Sequence, residues 1–220
     1  MNTIKELACS MGADVCGIAG VSDYEGAPKG FHPTDILLNA KSVIVYGKQF
    51  SRGTFLAKSN APYTMFRNQL IQEIDTLSMR LSLKIEEEGY IATPIPSSEP
   101  YEYWDTSRRH GRGIISLKHS AQLAGIGHIG KNTLLINEKF GNRLWLGAII
   151  TSLELKPDQM ANTFCPANCR ICIDVCPQSA LNETTIEQSR CREICFRNTE
   201  GGGWLIACNL CRTECPFASI

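Results

Sequence analysis

Nine of the eleven cysteines in this 220-residue chain lie in its last 56 residues, and eight of the nine form two copies of one pattern. The first copy runs Cys165-Pro-Ala-Asn-Cys169-Arg-Ile-Cys172-Ile-Asp-Val-Cys176-Pro177. The second begins at Cys191, crosses a short insert, and closes with Cys208-Asn-Leu-Cys211-Arg-Thr-Glu-Cys215-Pro216. Paired thiols two residues apart, followed by a third and then proline, present sulfurs to two [4Fe–4S] clusters. In that arrangement the last cysteine of each run ligates the other run's cluster. The spacing therefore assigns Cys165, Cys169, Cys172 and Cys215 to one cluster, and Cys176, Cys191, Cys208 and Cys211 to the second. A chain with two such clusters carries electrons.

Other readings of the cysteines explain less. Cys169-x-x-Cys172 and Cys208-x-x-Cys211 are legal zinc knuckles, but zinc leaves Cys165, Cys176, Cys191 and Cys215 without a role. A disulfide framework would leave one thiol over, and the N-terminal stretch has no apolar signal region. Three cysteines fall outside the pattern. Cys9 and Cys16 sit among apolar residues and read as small core hydrophobes. Cys195 is the rival of Cys191, which is preferred because it directly follows Gln188-Ser189-Arg190 at the end of a helix.

The chain is long enough, and at 43% hydrophobic residues apolar enough, to bury a full core. Its apolar segments read as an α+β domain. Thr3 or Asn2 caps a first helix with Ile4, Leu7, Ala8 and Met11 on its apolar face. Val15–Val21 and Ser42–Gly47 read as strands. After Pro62, the spacing of Phe66, Leu70, Ile74, Leu77, Leu81 and Ile85 predicts one long helix with a continuous apolar stripe. Tyr90–Ile95 reads as a strand and Ser116–Ala124 as a helix. Thr133–Asn137 and Leu144–Leu155 read as strands joined by a turn at Phe140-Gly141-Asn142. Lys156-Pro157-Asp158 marks the expected boundary between a first domain, residues 1–156, and a cysteine-rich second, residues 157–220.

Charge excludes one class of partner. Lys and Arg number 16 against 14 Asp and Glu in residues 1–150, and 6 against 8 in residues 151–220. Neither part has the basic excess by which proteins neutralise nucleic-acid phosphates. No apolar run reaches the ~20 residues that span a bilayer, and free thiols point to the cytoplasm. Gly125-Ile-Gly127-His-Ile-Gly130-Lys131 imitates two nucleotide-binding loops. A dinucleotide fingerprint follows a strand and opens a helix; this loop follows a helix and enters a strand. A P-loop needs Ser or Thr after its lysine, and Asn132 stands there.

Ala124–Asn137, then Leu146–Leu155, then the paired Cys-Pro runs together resemble the epoxyqueuosine reductase family. The likeness is close over about residues 120–216 and looser through Gly12–Ala19 and Ala40–Val45. It implies a nitroreductase-like α+β domain followed by a two-cluster ferredoxin-like module, as also in the related reductive dehalogenases. It further implies cobalamin in the first domain, with flavin a second choice, and electrons arriving through the clusters. On this view Lys118, His119, Gly127, Gly130, Lys131 and Asn132 face the cofactor, the glycines by letting backbone approach it.

Two departures shape the expectation. The family's catalytic aspartate position reads Gly111, with Asp105 the nearest acid, so no catalytic residue is assigned. The chain also stops at Ile220, where tRNA-acting members continue. With no basic excess, tRNA is not expected as a substrate. The partners expected instead are a redox donor and an acceptor, each a protein or a small molecule. Tyr101, Tyr103, Trp104, Arg108, Arg109, His110 and Arg112 read as a lid over the pocket, on a stretch long for a loop. The function expected is an iron–sulfur oxidoreductase feeding a corrinoid or similar cofactor. The alternative is a non-enzymatic electron carrier whose first domain docks a partner.

Overall fold

The computed structural model describes residues 3–218. Its elements in chain order begin with α1 (Ile4–Ser10), β1 (Val15–Gly20), α2 (Pro33–Ile36), β2 (Ser42–Gln49), α3 (Gly53–Leu56) and α4 (Ala61–Glu87). They continue with β3 (Ala92–Ile95), β4 (Tyr103–Asp105), β5 (His110–Arg112), α5 (Leu117–Leu123), β6 (His128–Ile129), β7 (Leu135–Ile136) and β8 (Leu144–Thr151). The cysteine-rich segment adds α6 (Ile171–Asp174), α7 (Gln188–Ile194), β9 (Phe196–Asn198), β10 (Trp204–Ile206) and α8 (Leu210–Thr213).

The central sheet is antiparallel throughout, in the order β1-β2-β8-β3. Its two middle strands are covered on both faces. Ile44, Tyr46 and Ile149 point to one side, where Ala8 of α1 and Ile74, Leu77, Leu81 and Ile85 of α4 cover them. Val43, Val45, Ala148 and Ile150 point to the other, where they meet Ala121 of α5 with Ala124, Ile126 and Leu135. Alternation with a period of two along β2 and β8 serves both layers, which is why these strands read as unbroken apolar runs. The result is three layers, mixed without βαβ alternation, as an α+β chain requires. Thr3 closes α1 with a capping box: its hydroxyl accepts from Glu6, whose carboxylate accepts from Thr3 N–H.

Three sequence expectations are corrected. The segment 133–137 does not join the sheet of β8; only Leu135–Ile136 is strand, and it pairs with β6 inside the glycine loop. The strand expected over 144–155 ends at Thr151. The stretch 94–113 is not all loop, since β4 and β5 form a hairpin.

The 156–158 segment is fixed to the edge of the sheet. Asp158 accepts from Ile18 N–H at 2.8 Å and pairs with Lys5. Further along, Ile206 N–H donates to Thr64 Oγ1 at 2.9 Å and Asn60 Nδ2 to Ala207 O at 2.9 Å, which docks β10 on the start of α4.

Candidate metal centre and the loops that hold it

Two single-turn helices position the cysteine runs. Cys172 lies on α6 and Cys211 on α8, at corresponding places in the two copies. Burial pushes the Cys172 thiol up to about 11, and the neighbouring Cys215, Cys165 and Cys169 push in the same direction. Cys215 is likewise raised by burial, with Cys165 and Cys169 adding to it. Cys211 is raised to about 11 by burial against the opposing charge of Arg212, and its sulfur neighbours are Cys191, Cys208 and Cys176. Cys172 and Cys215 thus share the neighbourhood of Cys165 and Cys169, and Cys211 that of Cys176, Cys191 and Cys208, where Cys195 also stands. Burial thus keeps each of these three thiols protonated more firmly than a free cysteine. Among the described residues no three His, Cys, Asp or Glu gather as a single-ion site.

Cys195 caps α7 one turn after Cys191, and its N–H donates to Cys191 O at 3.0 Å. A hydrogen bond from the Cys195 thiol draws Cys191 down to about 7 and drives Cys195 strongly up. Cys16 is half-buried, and burial followed by Cys9 lifts it to about 12. Cys9 itself is exposed, so it is not the core residue its apolar neighbours suggested.

The glycine loop and its flanks grip the cysteine loops by their backbone. Buried His128 accepts from Cys165 N–H at 2.9 Å through Nε2. Burial holds its pKa below the ordinary histidine value, so the ring is neutral and able to accept. Lys131 Nζ donates to Ala167 O at 2.6 Å and Cys169 O at 3.1 Å, with Glu183 at 3.6 Å. Asn132 Nδ2 donates to Cys211 O at 3.1 Å, and buried Asn142 Nδ2 to Arg212 O at 2.8 Å. Asn142 is a member of this set that sequence reasoning missed. Its place after the Phe140-Gly141 turn was the available signal.

These contacts give the expected cofactor residues another job. Lys118 Nζ donates to Thr133 O at 2.6 Å. Its pKa is lowered by burial and then by Arg212, while Cys211 opposes the shift. His119 Nδ1 is bonded to Ser116 Oγ at 2.7 Å. A Cβ on Gly127 would strike the Ile136 carbonyl oxygen, and one on Gly130 would lie 2.5 Å from Ile136 Cδ1. The missing side chains make room for β7. The space that a corrinoid face would need at Gly127 and Gly130 is filled by β7, so these two glycines do not fit that group.

The β4–β5 hairpin is fastened to α7. Gly111 N–H and C=O both bond the Gln188 amide at 3.1 Å, and Arg109 Nη2 donates to Arg192 O at 3.1 Å. The expected lid is thus a strap across the helix that carries Cys191. Among its residues, Arg112 lies over Phe31 and Tyr103 packs against the same ring.

Comparison with known proteins follows the same lines. No family model matches the chain. The epoxyqueuosine reductase of Gloeobacter violaceus is 30% identical over 141 residues, 58% of this chain and 42% of that protein. The solved epoxyqueuosine reductase of Streptococcus thermophilus superposes with a TM-score of 0.68 at 23% identity, covering 98% of this chain and 65% of that one. The chain is epoxyqueuosine reductase-like. A reductive dehalogenase whose structure is described as suggesting a mechanism for B12-dependent dehalogenation gives 0.70 at 19% identity, covering 97% and 31%. At such identities the structural likeness establishes the fold, and this epoxyqueuosine reductase-like chain spans under half the length of the curated relative.

The expectation that tRNA is not a partner is corrected. An epoxyqueuosine reductase solved with a tRNA-Tyr epoxyqueuosine-modified stem loop matches with a TM-score of 0.67 at 20% identity, covering 98% of this chain and 64% of that one. Balanced net charge does not rule such a partner out, because a stem loop can be held by shape and a few local contacts. Among the described residues no helix is long and apolar enough to cross a membrane.

Proposed function

We propose that the chain is an iron–sulfur oxidoreductase with two [4Fe–4S] clusters, one held by Cys165, Cys169, Cys172 and Cys215 and the other by Cys176, Cys191, Cys208 and Cys211. In this reading residues 157–220 form a ferredoxin-like unit serving a nitroreductase-like unit, residues 1–156. The observation that carries it is the sorting of thiols, in which Cys172 has Cys215 from the distant run as a neighbour and Cys211 has Cys176. That crossing of runs is the signature of a two-cluster ligand set.

When bound, the clusters would supply one-electron storage and relay at low potential. The chain's own residues do the rest. His128, Lys131, Asn132 and Asn142 hold the backbone of the cysteine loops, which fixes the sulfurs before loading. Half-buried Lys118, beside Cys211, places positive charge next to the second ligand set, and positive charge favours the reduced form of a cluster.

The names of the relatives favour an enzyme over a passive carrier. The likeness to a B12-dependent neighbour supports a corrinoid as electron acceptor, bound elsewhere than at the glycine loop. An epoxyqueuosine-bearing stem loop, the ligand of another neighbour, is the first terminal substrate to try. Anaerobic dithionite reduction followed by addition of cob(II)alamin tests the electron path. The reading expects bleaching of the cluster absorbance, then its return as Co(I) bands grow. Bleaching without any transfer would remove the corrinoid; no bleaching would remove the clusters.

A further inference from the structure

All three tryptophans of the chain belong to one group of stacked side chains, and two arginines are layered into it. The Arg67 guanidinium lies 5.1 Å from the ring centre of Trp145 and 5.8 Å from that of Trp204. Trp204 packs on Phe196 at 5.7 Å. The Arg192 guanidinium lies 5.8 Å from Phe196 and 4.9 Å from Trp104. Six elements supply the group: α4, β4, β8, α7, β9 and β10.

The rings lie against both guanidinium groups at cation–π distance, and their N–H groups are the recognising surface. Those N–H groups are poorly used. Arg67 reaches Asn68 Oδ1 at 2.9 Å and Ser98 Oγ at 3.5 Å, and Arg192 reaches Gln188 Oε1 at 3.4 Å. Among the described residues neither has a carboxylate within 4.0 Å. The two cations stand within electrostatic reach of each other. Arg67 is held below its ordinary pKa chiefly by burial and in smaller part by Arg192, with Tyr63, Tyr101 and Glu99 opposing. The indole N–H of Trp145, in the ring under Arg67, is buried without a partner. Two guanidinium groups in one aromatic group, neither with a carboxylate within 4.0 Å and with Glu99 acting on Arg67 only from further off, together with a spare buried indole N–H, describe a site that an oxyanion completes.

We propose that Arg67 and Arg192 bind the phosphate or carboxylate of a small-molecule ligand, between the aromatic rings that lie against them. Arg192 directly follows Cys191 in the chain, so the anion would sit beside the second ligand set. Its use as an anchor for the electron acceptor rests on the cluster reading; the anion site itself does not.

The test is calorimetric titration of the full chain with inorganic phosphate and, separately, with benzoate, with indole fluorescence as a second readout. Saturable binding of phosphate alone assigns the phosphate source, and stronger binding of benzoate the aromatic carboxylate. Arg67→Gln and Arg192→Gln should each weaken binding by at least about tenfold, with iron content and thermal unfolding as in the unaltered protein. No saturable binding of either anion, or unchanged affinity in both variants, overturns the proposal. If Arg67→Gln does not fold, Arg192→Gln decides alone. Iron content is read in the same samples, so loss of the cluster reading would be seen separately from loss of the anion site.

Discussion

Gly127 carries the main difference between what a residue suggests in sequence and what it does in the fold. A glycine beside a presumed cofactor invites the idea of backbone against a flat ligand, yet here the close neighbour is the Ile136 carbonyl. Gly127→Val should therefore unfold or misfold the chain instead of emptying a pocket. Even Gly127→Ala should cost about 1–3 kcal/mol, by overpacking. Urea denaturation reads this, and a Gly127→Val protein of unaltered stability would count against it. His128 makes a second residue-level prediction. Its folded pKa is depressed by burial, so the native state takes up a proton later than the unfolded chain does. Stability should be full above the ordinary value of about 6.5 and should fall as pH drops through and below it. His128→Gln, which keeps an acceptor without a titrating ring, should flatten that slope between about pH 7.5 and 5.5. An equal slope in the variant would show that other groups cause it.

At the scale of elements, α4 and α7 contrast. α4 was legible because one long apolar stripe leaves little else for Phe66 to Ile85 to be. Leu81 is fully buried on it, so Leu81→Ala should cost about 2–5 kcal/mol in urea unfolding. On α7 the pattern was chemical. Cys191 and Cys195 are one turn apart, and spacing alone could not rank them; in the fold Cys191 neighbours Cys211 and Cys195 neighbours Cys208, so both stand beside the second thiol set. Cys191→Ser should lose about half the iron, and Cys195→Ser should keep it. The opposite outcome would exchange their roles. β6 and β7 were read poorly because two-residue strands carry no periodicity. The β4–β5 hairpin was hidden in a stretch rich in charge and aromatics. Its anchor, the Gln188 amide clasping Gly111, joins residues 77 apart in sequence and left no local trace.

At the scale of the whole molecule, the cysteine-rich segment is not an appendage on a tether. Hydrogen bonds from His128, Lys131, Asn132 and Asn142 enter the loops that carry the cysteines, and Ile206 sits in a core cluster with Phe50, Tyr63 and Leu70. The candidate ligand set is proposed from thiol spacing, which is a strong signal in sequence. The identity of the acceptor was not legible, since it depends on which donors remain unspent after folding. Lys118, Lys131 and Asn132 look like ligand contacts in a sequence and are internal struts in the structure. The central claim is that eight thiols hold two cubanes. Quantifying iron and acid-labile sulfide in anaerobically purified chain tests it most directly. The account predicts about eight of each per chain; zinc without sulfide, or four iron with both thiol sets intact, would contradict it.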